Sequence, residues 1–182
     1  MGETHLKRIR SELGGHKDAP KGALTKYEVA TALCHVGFGA GLWSIPEFEI
    51  QCAGGRRTID VVWARRNTGK TDRLWDPVAA FEIEGHNVNS RIKKNVESLC
   101  AAADAGAKVL AMVLFQVGPN GTLWHPFPNS AKVRKFDPAA KLKKLLPTEY
   151  ADRIETVHDA NLFKKLEGWQ KEARKLRRRD AR

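Results

Sequence analysis

Two glutamates, Glu82 and Glu84, flank Ile83 in AAFEIEG, residues 79–85, a stretch with the apolar character of a buried strand. Successive strand side chains point to opposite faces, so Phe81 and Ile83 share one face while Glu82 and Glu84 share the other. Two carboxylates so placed repel each other and are costly to take out of water, which points to a cationic partner. A third acid lies within reach. In TIDVVW, residues 58–63, the alternation places Ile59, Val61 and Trp63 on one face and Asp60 with Val62 on the other. If the two strands pair, directly opposed residues have Cβ atoms about 4.5–5.5 Å apart, and Asp60 comes beside Glu82 or Glu84. Two or three converging carboxyl groups suit a hard divalent cation. Mg²⁺ is commonly held by one or two carboxylates together with the phosphate oxygens of a substrate.

The residues that follow supply the complement. Arg91, Lys93 and Lys94 fall in the first turns of a helix that the pattern NSRIKKNVESLCAAADAG predicts, with Asn89 or Ser90 at its N-cap and Gly106 at its stop. Acids are the ordinary choice at the positive end of a helix. Basic side chains there, beside free backbone N–H groups, instead make a corner for phosphate. A cation site on a strand followed by a phosphate corner suits phosphodiester hydrolysis, in which the metal activates water and the basic groups hold the phosphate. His86, Asn87 and Asn89 lie between the two and would touch the same phosphate; a loop histidine with no role is the other reading of His86.

The elements that must position these groups are legible in outline. Residues 1–22 are polar and basic and read as an arm. LTKYEVATALCHV, residues 24–36, has helical periodicity, with Thr25 and Glu28 spaced as a capping box. Three strands follow, PEFEIQC, RRTIDVVWARR and AAFEIEG, the first two joined across Gly54-Gly55. Residues 67–77 read as a loop. After the helix from Asn89, KVLAMVLFQV reads as a strand buried on both faces. The order helix, three strands, helix, strand predicts an α/β fold with a mixed sheet, spanning residues 23–118. Residues 119–163 read as a loop and helical extension, with one or two short helices broken at Pro147. Residues 164–182 read as a basic C-terminal helix and tail, amphipathic through Leu162, Leu166, Trp169, Ala173 and Leu176.

This pattern resembles the PD-(D/E)xK nuclease superfamily of restriction enzymes, junction resolvases and repair nucleases, over roughly residues 24–117. The resemblance implies a restriction-endonuclease-like core. It implies that Asp60 and Glu82 are metal ligands, with the Ile83 carbonyl near the metal and Glu84 as a further ligand or general base. Glu28 would match an acidic residue that many members carry on the first helix. Ile59 replaces the proline before the aspartate. Glu84 stands where the family has lysine, giving E-x-E, and Lys93 and Lys94 are candidates for the relocated positive charge. The implied activity is a Mg²⁺-dependent endodeoxyribonuclease, with Mn²⁺ able to substitute. A restriction-type enzyme would act as a homodimer; a junction resolvase, a repair nicking enzyme or an inactive binding protein of the same fold are the alternatives.

Charge favours a polyanionic partner. The 182 residues carry 32 Lys and Arg against 21 Asp and Glu, a formal net of +11. Residues 164–182 alone hold nine basic and three acidic residues. Arg177, Arg178 and Arg179 would thus add salt-sensitive affinity for a DNA backbone, with Arg56 and Arg57 as further contacts. A solvated tail is the plainer reading of that run, and an edge strand with Glu82 and Glu84 paired to Arg56 and Arg57 is the plainer reading of the acids. A glycosidase-like carboxyl pair fits poorly, since both glutamates sit on one strand. Trp43 and Trp75 are expected in loops, where a base could stack on them. No apolar run is long enough to span a bilayer, and the three spaced cysteines suggest a reducing, cytoplasmic or nucleoid-associated setting.

Overall fold

The computed structural model describes residues 24–67, 74–85, 89–115, 138–158 and 161–179. The arm, His86, Asn87 and the stretch after Phe115 up to Asp137 lie outside them.

Helix α1 (Lys26–Gly39) begins at the capping box read from the sequence. The Thr25 N–H donates to Glu28 Oε2 at 2.6 Å, and the Glu28 N–H donates to Thr25 Oγ1 at 3.3 Å. Strands β1 (Trp43–Cys52), β2 (Gly55–Arg66) and β3 (Trp75–Glu84) follow as an antiparallel meander. Helix α2 (Asn89–Asp104) then crosses over to β4 (Val109–Leu114), which runs parallel to β3. The α2 stop is a Schellman turn on Gly106 at φ 111°: its N–H reaches Ala103 O, and the Ala107 N–H reaches Ala102 O. Helix α3 (Pro138–Leu145), a 3₁₀ turn (Thr148–Tyr150), β5 (Ile154–His158) and helix α4 (Leu162–Arg179) complete the described residues.

The fold is therefore α+β, with a five-stranded mixed sheet in the order β1-β2-β3-β4-β5 and four helices among the described residues. The element order from α1 to β4 is the predicted one. Each face of the sheet is covered. On one side Val61, Trp63, Phe81, Ala111 and Val113 pack with residues of α1 and α4; on the other Val62, Ala80, Leu110 and Met112 pack with α2 and α3. Strand β4 is buried at every residue because it has a helical layer on both faces. No helix among the described residues is long and apolar enough to cross a membrane.

Four expectations are corrected. Strand β3 starts at Trp75 rather than Ala79, because residues 75–77 continue the ladder with β2 past a register shift between Trp63 and Ala64. Trp43 and Trp75 thus sit on strands, not loops, with ring centroids 5.4 Å apart. Ile59 packs with the cluster under α2 rather than with Val61 and Trp63, so face alternation breaks at Asp60. Within the stretch read as a helical extension, residues 154–158 form β5, pairing parallel to β4.

The amphipathic stripe of α4 is as expected, with Leu162, Leu166, Trp169 and Ala173 buried. Its polar face has a use the sequence conceals. Gln170 Nε2 donates to Val36 O at 3.2 Å and Arg174 Nη2 to Gly39 O at 2.7 Å. The Arg177 guanidinium packs onto Gly41 so closely that a Cβ there would overlap it. Gln170 and Arg174 thus bond carbonyls at the α1 C-terminus, where the helix has no basic residue of its own. Arg174→Ala should remove about 0.3–1 kcal/mol, the usual value of a cation at a helix C-terminus. Thermal melting would show this as a fall of roughly 1–4 °C, and Arg174→Lys should restore part of it.

Candidate active site

Asp60 sits where two strand pairings let go of it. The β2–β3 ladder ends at Val61↔Phe81, and one further step in that register would set Asp60 opposite Glu82. On the other side the β1–β2 ladder skips the position where Glu47 would face Asp60, and Glu47 takes a left-handed φ of 49°. A non-glycine residue in that region carries strain. Released from regular pairing, the Asp60 carboxylate turns to β3, and the Ile83 N–H donates to its Oδ2 at 2.7 Å.

Glu82 and Glu84 lie on the α2 side of β3, as the alternation predicts, and both are buried. They part company there. Glu84 Oε2 accepts from Asn95 Nδ2 of α2 at 3.2 Å. Glu82 is 3 % exposed, and its Oε1 has no hydrogen-bond partner among the described residues. Burial, and then the neighbouring Asp60 carboxylate, push the Glu82 carboxyl well above the usual carboxylate range; hydrogen bonding to Ser98 and the Asp60 backbone pulls weakly the other way. Of the two or three converging carboxyl groups expected from the sequence, Asp60 and Glu82 lie against each other and Glu84 lines the same cleft. Among the described residues no three His, Cys, Asp or Glu side chains gather as a ready ligand set.

A cleft of about 350 Å³ opens over this pair and Glu84, and Ile83, Arg91, Lys94, Asn95, Thr58, Phe115 and Lys26 complete its lining. Arg91, Lys94, Asn95 and Ser98 share one face of α2, being three or four residues apart. Lys93 is off that stripe, exposed, and does not line the cleft. A cation of α1 does reach the acids: Lys26 Nζ lies 2.6 Å from Asp60 Oδ1. Sequence reasoning missed Lys26, because only its place at the start of α1 was legible. A capping box fixes its first helical residue, and that residue is Lys26.

The remaining candidates are elsewhere. Glu28 is committed to the Thr25 N–H and does not line the cleft. Arg57 pairs with Glu97 at 3.2 Å, and exposed Arg56 lies 3.6 Å from Glu49. Arg177 packs onto Gly41. The side chains of Asn89, Arg178 and Arg179, and all of His86 and Asn87, lie outside the described residues. A larger cleft of about 500 Å³ between β1 and the end of α2 is lined by Phe48, Ile50 and Trp75 among others, and holds none of the acids Asp60, Glu82 and Glu84.

The pair fits a hard divalent ion better than it fits empty space. A buried oxygen without a partner, beside a second carboxylate in a cleft lined by three acidic and three basic side chains, is a liability for a metal-free fold and would serve as a ligand in a metal-loaded one. Comparison with protein-family models, curated proteins and solved structures returns no match to this chain.

Proposed function

We propose that the chain is a metal-dependent endodeoxyribonuclease of the restriction-endonuclease-like kind, with the cleft over Asp60 and Glu82 as its active site. One observation carries the reading: the orphaned Oε1 of buried Glu82, set beside Asp60 in a cleft that also presents Arg91 and Lys94. Asp60 and Glu82 would hold Mg²⁺ or Mn²⁺, which supplies the Lewis acidity that phosphodiester hydrolysis needs. Arg91 and Lys94 face the cleft from one side of α2 and hold the phosphate by charge. Glu84 lines the same cleft while accepting from Asn95, and would be a further ligand or the general base. The net charge of +11 suits a polyanionic duplex. A homodimer with one such cleft per strand is the arrangement a restriction-type enzyme would need.

The test is incubation of the purified protein with supercoiled plasmid and with a four-way junction, in Mg²⁺ and in excess chelator, beside Asp60→Ala. Cleavage that needs both the metal and Asp60 is expected, with a loss on the order of 10³-fold or more when a group worth several kcal/mol is removed. Discrete plasmid fragments would identify a sequence-specific enzyme, and cleavage confined to the junction a resolvase. A gel shift without cleavage in either metal would overturn the enzyme and leave a binding protein, in keeping with Glu84 in place of lysine.

A further inference from the structure

The Lys26–Asp60 pair is oddly placed for a stabilising salt bridge. Lys26 is about half exposed and sits in the first turn of α1, where the helix dipole disfavours a cation. Its partner, the less exposed Asp60, has its other oxygen already engaged by the Ile83 N–H. The Asp60 oxygen that Lys26 covers, Oδ1, belongs to the carboxylate that stands beside Glu82, whose Oε1 has no partner among the described residues. An ammonium group thus occupies the oxygen that a metal ion shared by the two carboxylates would need.

Resting on the nuclease reading above, we propose that Lys26 is a built-in counter-ion for Asp60 that an entering divalent cation displaces. The exchange couples two events. The metal replaces one positive charge at Asp60, and the released ammonium, on a flexible four-carbon stem, joins Arg91 and Lys94 in facing the cleft. Metal loading therefore arms the third phosphate-binding cation. It also weakens metal affinity, because each binding event must first break an ion pair. A cation that serves only to hold α1 against β2 would show no such linkage.

Calorimetric titration of the metal-free protein with Mn²⁺, without nucleic acid, tests this directly. Lys26→Met should bind Mn²⁺ about two- to fivefold more tightly than the unmodified chain, the range for removing one partner of a half-exposed ion pair. Lys26→Arg should retain the weaker affinity. Lys94→Met is the charge control: it takes the same charge from the same cleft without touching Asp60, and should tighten binding less. In plasmid cleavage, Lys26→Met should bind metal better and turn over more slowly, a split that general loss of structure does not produce. Equal Mn²⁺ affinity for Lys26→Met and the unmodified chain would overturn the exchange while leaving the metal site standing. Equal affinity for Asp60→Asn and the unmodified chain, or no Mn²⁺ binding at all, would overturn the metal site and the exchange together.

Discussion

Glu82→Gln is expected to abolish metal-dependent cleavage and, in the same molecule, to raise the melting temperature of the metal-free protein. The side chain is 3 % exposed, and its Oε1 lacks a partner among the described residues. Glutamine keeps the shape and removes the charge that burial and Asp60 oppose. An unsatisfied buried polar group costs about 1–3 kcal/mol, and a domain of this size gains roughly 2–4 °C per kcal/mol. The effect has a pH signature. A carboxyl whose folded pKa is raised binds more protons in the native state than in the unfolded chain, so stability falls as pH rises through that window. The melting temperatures of the two proteins should therefore agree in acid, where both carry a neutral group. They should separate as pH climbs above about 4.3, the ordinary glutamate value, and stop separating once the folded Glu82 has ionised. Mn²⁺ should reverse the order by stabilising only the unmodified chain. Melting curves in chelator at several pH values, with cleavage assays alongside, decide the matter. A variant that melts lower than the unmodified chain at neutral pH would mean that Glu82 is satisfied in the fold and is not kept for a cation.

The second large effect is structural. Trp63→Ala should cost about 3–5 kcal/mol, the usual loss for a buried Trp, out of roughly 5–15 kcal/mol for a whole domain. Trp63 has no exposed surface, and its Nε1–H donates to Leu33 O at 2.8 Å. Its ring lies 4.7 Å from that of Phe81, which in turn lies 5.1 Å from Trp169. These three aromatics tie β2, β3 and α4 together beneath α1. Gly37 shows how tightly α1 is seated, since a Cβ there would overlap both Ser44 Oγ and the Trp63 ring. Melting should fall by about 6–20 °C; Trp63→Phe should recover much of the packing but not the hydrogen bond to Leu33. A shift of only a degree or two for the alanine variant would mean that the helices do not depend on this contact.

What the sequence disclosed was local and periodic. The alternation in AAFEIEG placed Glu82 and Glu84 on one face, the spacing Thr25 to Glu28 marked the start of α1, and the four-residue rhythm from Leu162 to Ala173 marked the buried stripe of α4. What it hid depends on partners far away in the chain. Alternation alone assigned Ile59 to the face of Val61, but Glu47 on the neighbouring strand breaks the pairing at Asp60. IETVH is too short and too polar to signal a strand unless β4 is already there to pair with it. Nothing nearby in sequence reveals the carbonyls at the end of α1, so the contacts that Gln170 and Arg174 make with them were hidden. The acidic half of the candidate site was legible because it lies on two strands with strong patterns. Lys26 was not, since its relation to Asp60 exists only once α1 packs on the sheet.

That packing has a consequence for how the protein is made. Gln170 and Arg174 close the end of α1 across separations of 134 and 135 residues. Translation proceeds at about 5–20 residues per second, so α1 emerges from the ribosome on the order of ten seconds before the side chains that finish it. During that interval the nascent chain holds Lys26, Asp60 and Glu82 without α4 to seat the first helix. The cleft over the carboxylates should thus mature only after the C-terminal helix docks, which keeps a half-made chain from carrying a finished site.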